Sequence, residues 1–374
     1  MALLLLLAPL LQTPSQVTLT RPARVLEPEF NQVRGLRELP DGRVLISDRL
    51  DERIVVADFS TGRVTVIGRA GQGPQEYHLP SGLVPLPGDS TLFVDEGNGR
   101  LGIIGPDLKI HRSFTLRLPG IPAALLPRAV DSEGRWYAQV PRWAVMTETN
   151  PGDTVPVLRI ARSGASSQIV AWVTAAGRGP SYSSGPRIPY VPFSPSDTWI
   201  AFPDGHLLVF RAVDYHADRI NPDGSRSSTP AVPWTRLTVT DADRYDYTRR
   251  FLAGSGSAGR GGASGPAGGI TPTPPEMLKP EAIRAMIGQS EFAATKPPFT
   301  DALPRTSPDG TVWLERSGPL GAPPSYDVFD AGGRLVRRVT LPAGRRVIGV
   351  GRTALYTVAT DEDGVERIEQ YNRP

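Results

Sequence analysis

Short apolar runs separated by polar turns recur along most of the chain. Val44-Leu45-Ile46 and Leu92-Phe93-Val94 are examples, and each follows a turn rich in Pro, Asp and Gly. Apolar runs of this length, bounded by turn residues, are typical of β-strands joined by hairpins. The pattern predicts a protein built mainly from short antiparallel strands.

One stretch of this pattern is repeated almost intact. The segment beginning at Val33 returns 47 residues later, and each copy has a turn, an apolar strand ending in Asp, and a next strand opening with Arg. Matching residues at one fixed offset indicate an internal structural repeat. The matched pairs include Gly35 and Gly82, Leu39 and Leu86, Leu45 and Leu92, Asp48 and Asp95, and Arg53 and Arg100.

The turn and its strand occur six times in all. The turn residues are 42, 89, 134, 205, 310 and 352, so the intervals are 47, 45, 71, 105 and 42. Units of about 40 to 50 residues are typical of β-propeller blades. The sequence therefore predicts an all-β, six-bladed propeller of four-stranded antiparallel blades. The last copy has room for three strands, so the N-terminal strand Val17–Leu26 is expected to complete it and close the ring.

The two long intervals predict insertions at about 177–195 and 240–300. The second insertion contains two predicted helices: Thr240–Phe251, which Thr240 caps, and Pro280–Ile287. Such an arm is expected either to cap the channel mouth or dock on a partner, or to be a loop without a role. The domain organisation is then a signal peptide at 1–16 and a propeller at 17–374.

The amino-acid composition excludes several kinds of site and partner but identifies none. The 39 Gly and 39 Pro fit a turn-rich protein, and 41 Lys+Arg against 38 Asp+Glu argue against a nucleic-acid partner. The absence of cysteine excludes disulfides, thiolate metal sites and a cysteine nucleophile. The apolar run Ala2–Leu11 is shorter than the about 20 residues of a membrane span and fits a signal-peptide core. We expect a periplasmic or secreted monomer with no membrane span.

The chain resembles bacterial six-bladed β-propellers of the NHL/TolB-like group. The resemblance lies in the segment Gly71-Gln72-Gly73-Pro74-Gln75-Glu76-Tyr77 and in the Asp-then-Arg spacing of the first two repeats. It covers most of residues 17–374 and implies the fold and export, but no particular activity. Among related propellers, the gluconolactonase-like branch uses a carboxylate and asparagine calcium site. The amidating-lyase branch relies on histidines, and the four histidines here share no metal-ligand spacing.

Charged residues just past the apolar strands are the candidate ligand-binding residues, because the loops at one end of a propeller form its binding mouth. Arginines there suit a small polar or anionic ligand. An alternative interpretation for the first two repeats is that each Asp pairs with the Arg of its own blade and binds no ligand. Arg211, Glu315 and Arg316 lack that repeated pairing. The candidates are Asp48, Arg49, Asp95, Glu96, Asn98, Arg211, Glu315 and Arg316.

Two functions remain open from the sequence. The main prediction is an exported, non-catalytic propeller that binds an unknown protein or a small polar ligand at the channel mouth, with no catalytic residue, metal or cofactor. The alternative is a calcium-dependent, lactonase-like or lyase-like enzyme. In that alternative Asp48, Asp95, Glu96 and Asn98 supply oxygen ligands for Ca²⁺.

Overall fold

A computed structural model describes residues 14–145, 152–175, 191–255 and 274–374, with the side chains of 253–255 left out. The predicted leader therefore lies almost wholly outside the described residues, as does most of the first insertion. Ser15 and Gln16, at the end of that predicted leader, lie in a strand. No helix among these described ranges is long and apolar enough to cross a membrane.

The N-terminal half of the chain forms two short strands and the first three blades. Strands β1 (Ser15–Thr18) and β2 (Arg24–Val25) precede blade 1, which contains β3 (Val33–Glu38), β4 (Val44–Asp48), β5 (Arg53–Ala57) and β6 (Val64–Ile67). A small parallel pair follows, β7 (Arg69–Ala70) and β8 (Glu76–Tyr77). Blade 2 contains β9 (Pro80–Pro85), β10 (Thr91–Asp95), β11 (Arg100–Ile104) and β12 (Ile110–Phe114). Blade 3 contains β13 (Ala129–Val130), β14 (Trp136–Gln139), β15 (Thr154–Ile160) and β16 (Ser167–Thr174), with the short helix α1 (Arg142–Val145) between β14 and β15.

The C-terminal half forms blades 4 to 6. Blade 4 contains β17 (Thr198–Ala201), β18 (Leu207–Arg211), β19 (His216–Ile220) and β20 (Arg226–Ser228). Helices α2 (Asp241–Ser255) and α3 (Pro280–Gly288) lie between blades 4 and 5. Blade 5 contains β21 (Arg305–Thr306), β22 (Val312–Glu315), β23 (Ser325–Phe329) and β24 (Leu335–Thr340), and blade 6 contains β25 (Arg345–Val350), β26 (Ala354–Thr360) and β27 (Glu366–Asn372).

Each blade is an antiparallel meander whose first strand is innermost and whose last strand is outermost. The six-bladed propeller predicted from the repeat is thereby confirmed. The apolar strands face neighbouring blades, and six clusters of buried side chains fill the six seams between blades. Burial of apolar surface between blades therefore holds the ring together, as expected for a repeat whose units cannot bury their own faces.

The N-terminal segment closes the ring, as predicted. Strand β2 pairs antiparallel with β27 and completes blade 6, with Val25 opposite Glu369. The first part of the predicted strand does something else: β1 pairs in parallel with β24, the outer strand of blade 5, with Val17 opposite Val339. Pro22 lies between the two strands and has no N–H to donate to a ladder, so the predicted Val17–Leu26 strand is split in two.

Buried tyrosine hydroxyl groups add polar links across several seams. Tyr215 of blade 4 donates to Asp327 of blade 5 over 2.5 Å, and the Val347 N–H of blade 6 donates to the hydroxyl of Tyr326 over 2.9 Å. Tyr356 of blade 6 donates to Glu38 of blade 1 over 2.8 Å. Because an unpaired buried polar group costs stability, these hydrogen bonds also fix the position of each blade relative to its neighbour.

The second insertion forms the predicted pair of helices, and its described residues, 237–255 and 274–300, are called the arm. The Asp243 N–H donates to the hydroxyl oxygen of Thr240 over 3.2 Å, and the Thr240 N–H donates to the Asp243 carboxylate over 2.9 Å. This reciprocal arrangement satisfies N–H groups at the helix start. The predicted cap at Thr240 is therefore confirmed.

Ring closure predicts a stability effect at Leu26, which is 1% exposed in the seam between blades 6 and 1. We expect Leu26→Ala to lower the free energy of unfolding by about 2–5 kcal/mol, because it leaves a cavity in a closed seam. Urea unfolding measures this loss. Val66→Ala is the matched control, since Val66 is 57% exposed on an outer strand, and equal losses in the two variants would contradict the role of the closure.

Candidate functional site at the channel mouth

The candidate site lies at the end of the ring where the second strand of each blade ends and the innermost strand begins. Asp48 at the end of β4 shows this geometry, because its carboxylate accepts hydrogen bonds from the backbone N–H groups of Asn31 and Gln32, just before β3. This end is called the channel mouth below. Residues from different blades approach one another there.

Three of the predicted site residues serve the blades themselves. The buried Asp48 carboxylate pairs with Arg53 at 3.2 Å, and the buried Asp95 carboxylate pairs with Arg100 at 2.8 Å. Asn98 donates to Asp95 over 2.9 Å and to the carbonyl of Gly71 over 3.0 Å. The ion pairs of Asp48 and Asp95 agree with the alternative interpretation of the repeat, in which Asp and Arg pair within a blade.

Arg211 and Arg316 do have such pairing, contrary to the sequence-based expectation. Arg211 bonds Asp218 at 2.7 Å and Asp197 at 2.8 Å, while the Arg316 guanidinium lies 3.4 Å from the Asp327 carboxylate. Asp218 and Asp327 both lie on the third strand of their blade. In blades 1 and 2 the acid ends the second strand and the arginine lies on the third strand, whereas in blades 4 and 5 the two charges are exchanged. A sequence search for Asp followed by Arg therefore misses the pairs of blades 4 and 5.

Arg49, Glu96 and Glu315 are the predicted residues that remain at the mouth without a within-blade Asp–Arg pair. Arg49 is buried and pairs with the more exposed Glu96 of blade 2 at 2.8 Å. This ion pair joins blades 1 and 2. Glu315, at the end of β22, is half-buried and lies beside blade 6.

Three arginines of the innermost strands, which the sequence did not single out, complete the cluster: Arg34 of blade 1, Arg305 of blade 5 and Arg346 of blade 6. Arg346 donates to the two carboxylate oxygens of Glu366 over 2.9 and 3.1 Å and to the carbonyl of Val33 over 2.8 Å. Arg346 therefore has a fixed position between the other two arginines.

Arg34 and Arg305 have no hydrogen-bond or ion-pair partner within the part of the chain that the structure describes, and the Nε of Arg305 is buried. Desolvation and then the charge of Arg346 lower the pKa of Arg305 to about 10. Desolvation and then the charge of Arg49 lower the pKa of Arg34, and Arg346 adds to this, while the carboxylates of Glu96 and Glu366 act in the opposite direction. Two unpaired guanidinium groups beside a third make this region favourable for an anion.

Glu315 is the carboxyl group of this cluster. Desolvation raises its pKa and Asp301 raises it further, whereas the hydrogen bond from Tyr326 and the charges of Arg346 and Arg250 act in the opposite direction. The hydroxyl of Tyr326 lies 3.4 Å from the carboxylate of Glu315 and accepts the Val347 N–H. A carboxyl group with a raised pKa, placed next to arginines, has the properties of a general acid or base.

Calcium does not fit the oxygen ligands proposed from the sequence. Asp48 and Asp95 are already saturated by arginine and backbone N–H donors, and Asn98 turns its amide to Asp95. In the described ranges there is also no group of three or more His, Asp or Glu residues that suits a metal ion.

The fold is similar to that of several solved structures, although no protein-family model and no curated protein matches the chain. A protein from Bacteroides fragilis described as exported is 11% identical with a TM-score of 0.50, over 96% of this chain and 99% of that one. A gluconolactonase from Xanthomonas campestris is 13% identical with a TM-score of 0.44, over 96% and 98%. An aldose sugar dehydrogenase from Streptomyces coelicolor is 14% identical with a TM-score of 0.43, over 94% and 97%.

At these identities the similarity shows the fold alone, and membership of the NHL/TolB-like group stays a prediction. The main functional prediction, a non-catalytic binding or interaction propeller, is nevertheless contradicted. Several of the structurally similar proteins are described as enzymes, among them gluconolactonases, streptogramin lyases and a sugar dehydrogenase.

The raised pKa of Glu315 predicts a stability effect of pH. A carboxyl whose pKa is higher in the folded state than in the unfolded state costs stability once the pH exceeds both values. We expect Glu315→Gln to unfold at a higher temperature than the parent at pH 7, and the difference to vanish below a pH of about 4, where unfolded glutamate is protonated. Thermal unfolding against pH measures this, and a variant less stable than the parent only at neutral pH would contradict it.

Proposed function

We propose that the protein is an enzyme that acts on a small, carboxylate-bearing substrate at the channel mouth by acid–base catalysis. The observation that carries this proposal is the half-buried Glu315 beside Arg305 and Arg346, with Arg34 next to Arg346. Within the described residues neither Arg34 nor Arg305 has a protein partner. Arg34, Arg305 and Arg346 bind the substrate carboxylate. Glu315 exchanges a proton with the substrate, and Tyr326 orients its carboxyl group. The predicted periplasmic or secreted location forms part of the same proposal.

The reaction class that best uses these groups is a β-elimination, a lyase reaction. The Glu315 carboxylate removes the proton from the carbon next to the substrate carboxylate, and the electron pair moves into that carboxylate. The arginines stabilise the added negative charge, which is larger in the transition state than in the bound substrate. The electron pair then forms the carbon–carbon double bond as the bond to the β-oxygen breaks. Protonated Glu315 returns the proton to the departing oxygen.

Activity on a β-alkoxy carboxylate tests the proposal, with digalacturonate as the probe. We expect ultraviolet absorbance from the conjugated double bond of the product, and Glu315→Gln to lower kcat by about 100-fold or more, because general acid–base catalysis contributes that much. Arg305→Gln should raise KM about tenfold, through loss of a charged hydrogen bond.

Glu133→Gln is the matched control, because Glu133 is exposed in the turn between β13 and β14, at the opposite end of the ring, where it pairs with Arg135 at 3.0 Å. It should leave both kinetic parameters unchanged. Turnover that survives Glu315→Gln at the parent rate would refute the assignment.

A further inference from the structure

The channel mouth between blades 1 and 2 carries a histidine–glutamate contact that the proposed function does not use. The Nδ1 atom of His78 lies 2.5 Å from a carboxylate oxygen of Glu52. Glu52 belongs to the turn between β4 and β5, and His78 lies between β8 and β9, so both residues are at the mouth end of the ring. The two side chains are 25% and 28% exposed, so water and small molecules reach them from the mouth. This pair is called the His78–Glu52 dyad below.

One ring nitrogen of His78 is free to take part in chemistry. An ionised carboxylate only accepts hydrogen bonds, so Nδ1 carries the hydrogen in the contact with Glu52. In a neutral imidazole the other nitrogen, Nε2, then keeps its lone pair. Within the part of the chain that the structure describes, Nε2 has no hydrogen-bond or ion-pair partner. His78 is therefore able to accept a proton at Nε2 while Glu52 holds the other side of the ring.

The turn that follows β10 holds the imidazole in place. The His78 N–H donates to the Asp95 carboxylate over 2.7 Å, and the His78 carbonyl accepts the Gly97 N–H over 2.9 Å. A Cβ atom at position 97 would lie 2.1 Å from Cδ2 of the imidazole and 2.5 Å from its Cγ. The ring therefore packs directly against the backbone of Gly97, and only glycine leaves room for it there.

The turn that carries Glu52 is fixed against the same part of blade 2. Arg49 of this turn pairs at 2.8 Å with Glu96, the neighbour of Gly97, and the Arg49 side chain is only 8% exposed. Glu52 itself has a φ of 49°, a left-handed conformation that is uncommon for residues other than glycine. Groups held by fixed neighbours keep the geometry that catalysis needs. The ion pair of Arg49 and Glu96 thus sets how the two members of the dyad face each other.

The other three histidines have different surroundings. Both ring nitrogens of His206 and of His216 lie within 3.1 Å of oxygen atoms that accept from them. His111 lies 2.8 Å from Asp107 through Nε2, but its side chain is 55% exposed and follows the turn between β11 and β12, at the opposite end of the ring. Of the four histidines, His78 is the one that combines a carboxylate contact, a free nitrogen and a position at the channel mouth.

We propose that the His78–Glu52 dyad is a catalytic site of its own, which hydrolyses small carboxylic esters by general base catalysis. A carboxylate that holds Nδ1 of a histidine, with Nε2 open to the reactants, is the arrangement that activates a nucleophile in many hydrolases. His78 is the catalytic base, Glu52 stabilises the imidazolium that forms, and Gly97 positions the ring. Neither Glu315 nor the arginines of the proposed function take part, so this activity is independent of that function.

The reaction is complete with water and the ester alone. The oxygen of a water molecule attacks the carbonyl carbon of the ester while one water proton passes to Nε2 of His78. The bond from that carbon to the alkoxy oxygen then breaks, and Nε2 returns the proton to this oxygen. The products are a carboxylic acid and an alcohol, and the dyad returns to its starting state.

Hydrolysis of p-nitrophenyl acetate by the full-length protein tests the proposal, with the absorbance of p-nitrophenolate as the readout. We expect His78→Gln to lower kcat by about 100-fold or more, because general base catalysis contributes that much. Glu52→Gln should lower kcat about tenfold or more, since an amide does not stabilise the imidazolium. The parent should turn over more slowly in heavy water, because a proton moves as water attacks.

Gly97→Ala tests the position of the ring separately from its chemistry. This variant keeps His78 and Glu52, but the added Cβ displaces the imidazole, so we expect kcat to fall while far-ultraviolet circular dichroism stays that of the parent. Glu52→Gln and Gly97→Ala both leave His78 in place, and they keep the test decisive if His78→Gln does not fold.

His111→Gln is the matched control, since it removes a more exposed histidine that also contacts a carboxylate, at the opposite end of the ring. It should leave kcat unchanged. The proposal is overturned if the parent hydrolyses the ester no faster than buffer does, or if folded His78→Gln keeps the parent rate. It is overturned as well if His111→Gln lowers the rate as much as His78→Gln, because the activity would then come from exposed imidazole in general.

Discussion

Closure of the ring by the N-terminal segment is the constraint on which the rest of the structure depends. The Glu366 carboxylate accepts the N–H of Val33 over 2.6 Å and also binds Arg346, so one buried group joins the closing seam to the site. Glu366 also exchanges backbone hydrogen bonds with Phe30. A ring left open at this seam would separate Arg34 from Arg346 and expose two sheet edges.

The candidate site is built at a cost in stability. Charged groups elsewhere near the mouth are paired, as Arg49 is with Glu96, whereas Arg34 and Arg305 have lost part of their solvation without gaining a partner in the described residues. Desolvated charges of like sign destabilise a folded protein. Such an arrangement is typical of functional sites, where a ligand supplies the missing charge.

Most of the fold could be predicted from the sequence because its signals are local. The turn at Pro40-Asp41-Gly42 and its copies mark the blades, and Thr240 with Asp243 marks a helix start. The candidate site could not be predicted in the same way. Arg346 meets Arg34 only because the ring closes, and no local pattern encodes a contact between residues so far apart in the chain. The sequence identifies Glu315 as a candidate because it ends an apolar strand. It does not reveal that Arg211 and Arg316 pair within their blades, because there the arginine precedes the acid.

The proposed function requires that the arginines of blades 5, 6 and 1 bind an anion near Glu315. Anomalous diffraction from crystals soaked in bromide tests it most directly, because bromide reports its own position. We expect a strong peak within contact distance of the guanidinium groups of Arg34 and Arg305, and its loss in crystals of Arg305→Gln. A peak that persists in that variant, or bromide bound only elsewhere on the surface, would show that these arginines do not form the site.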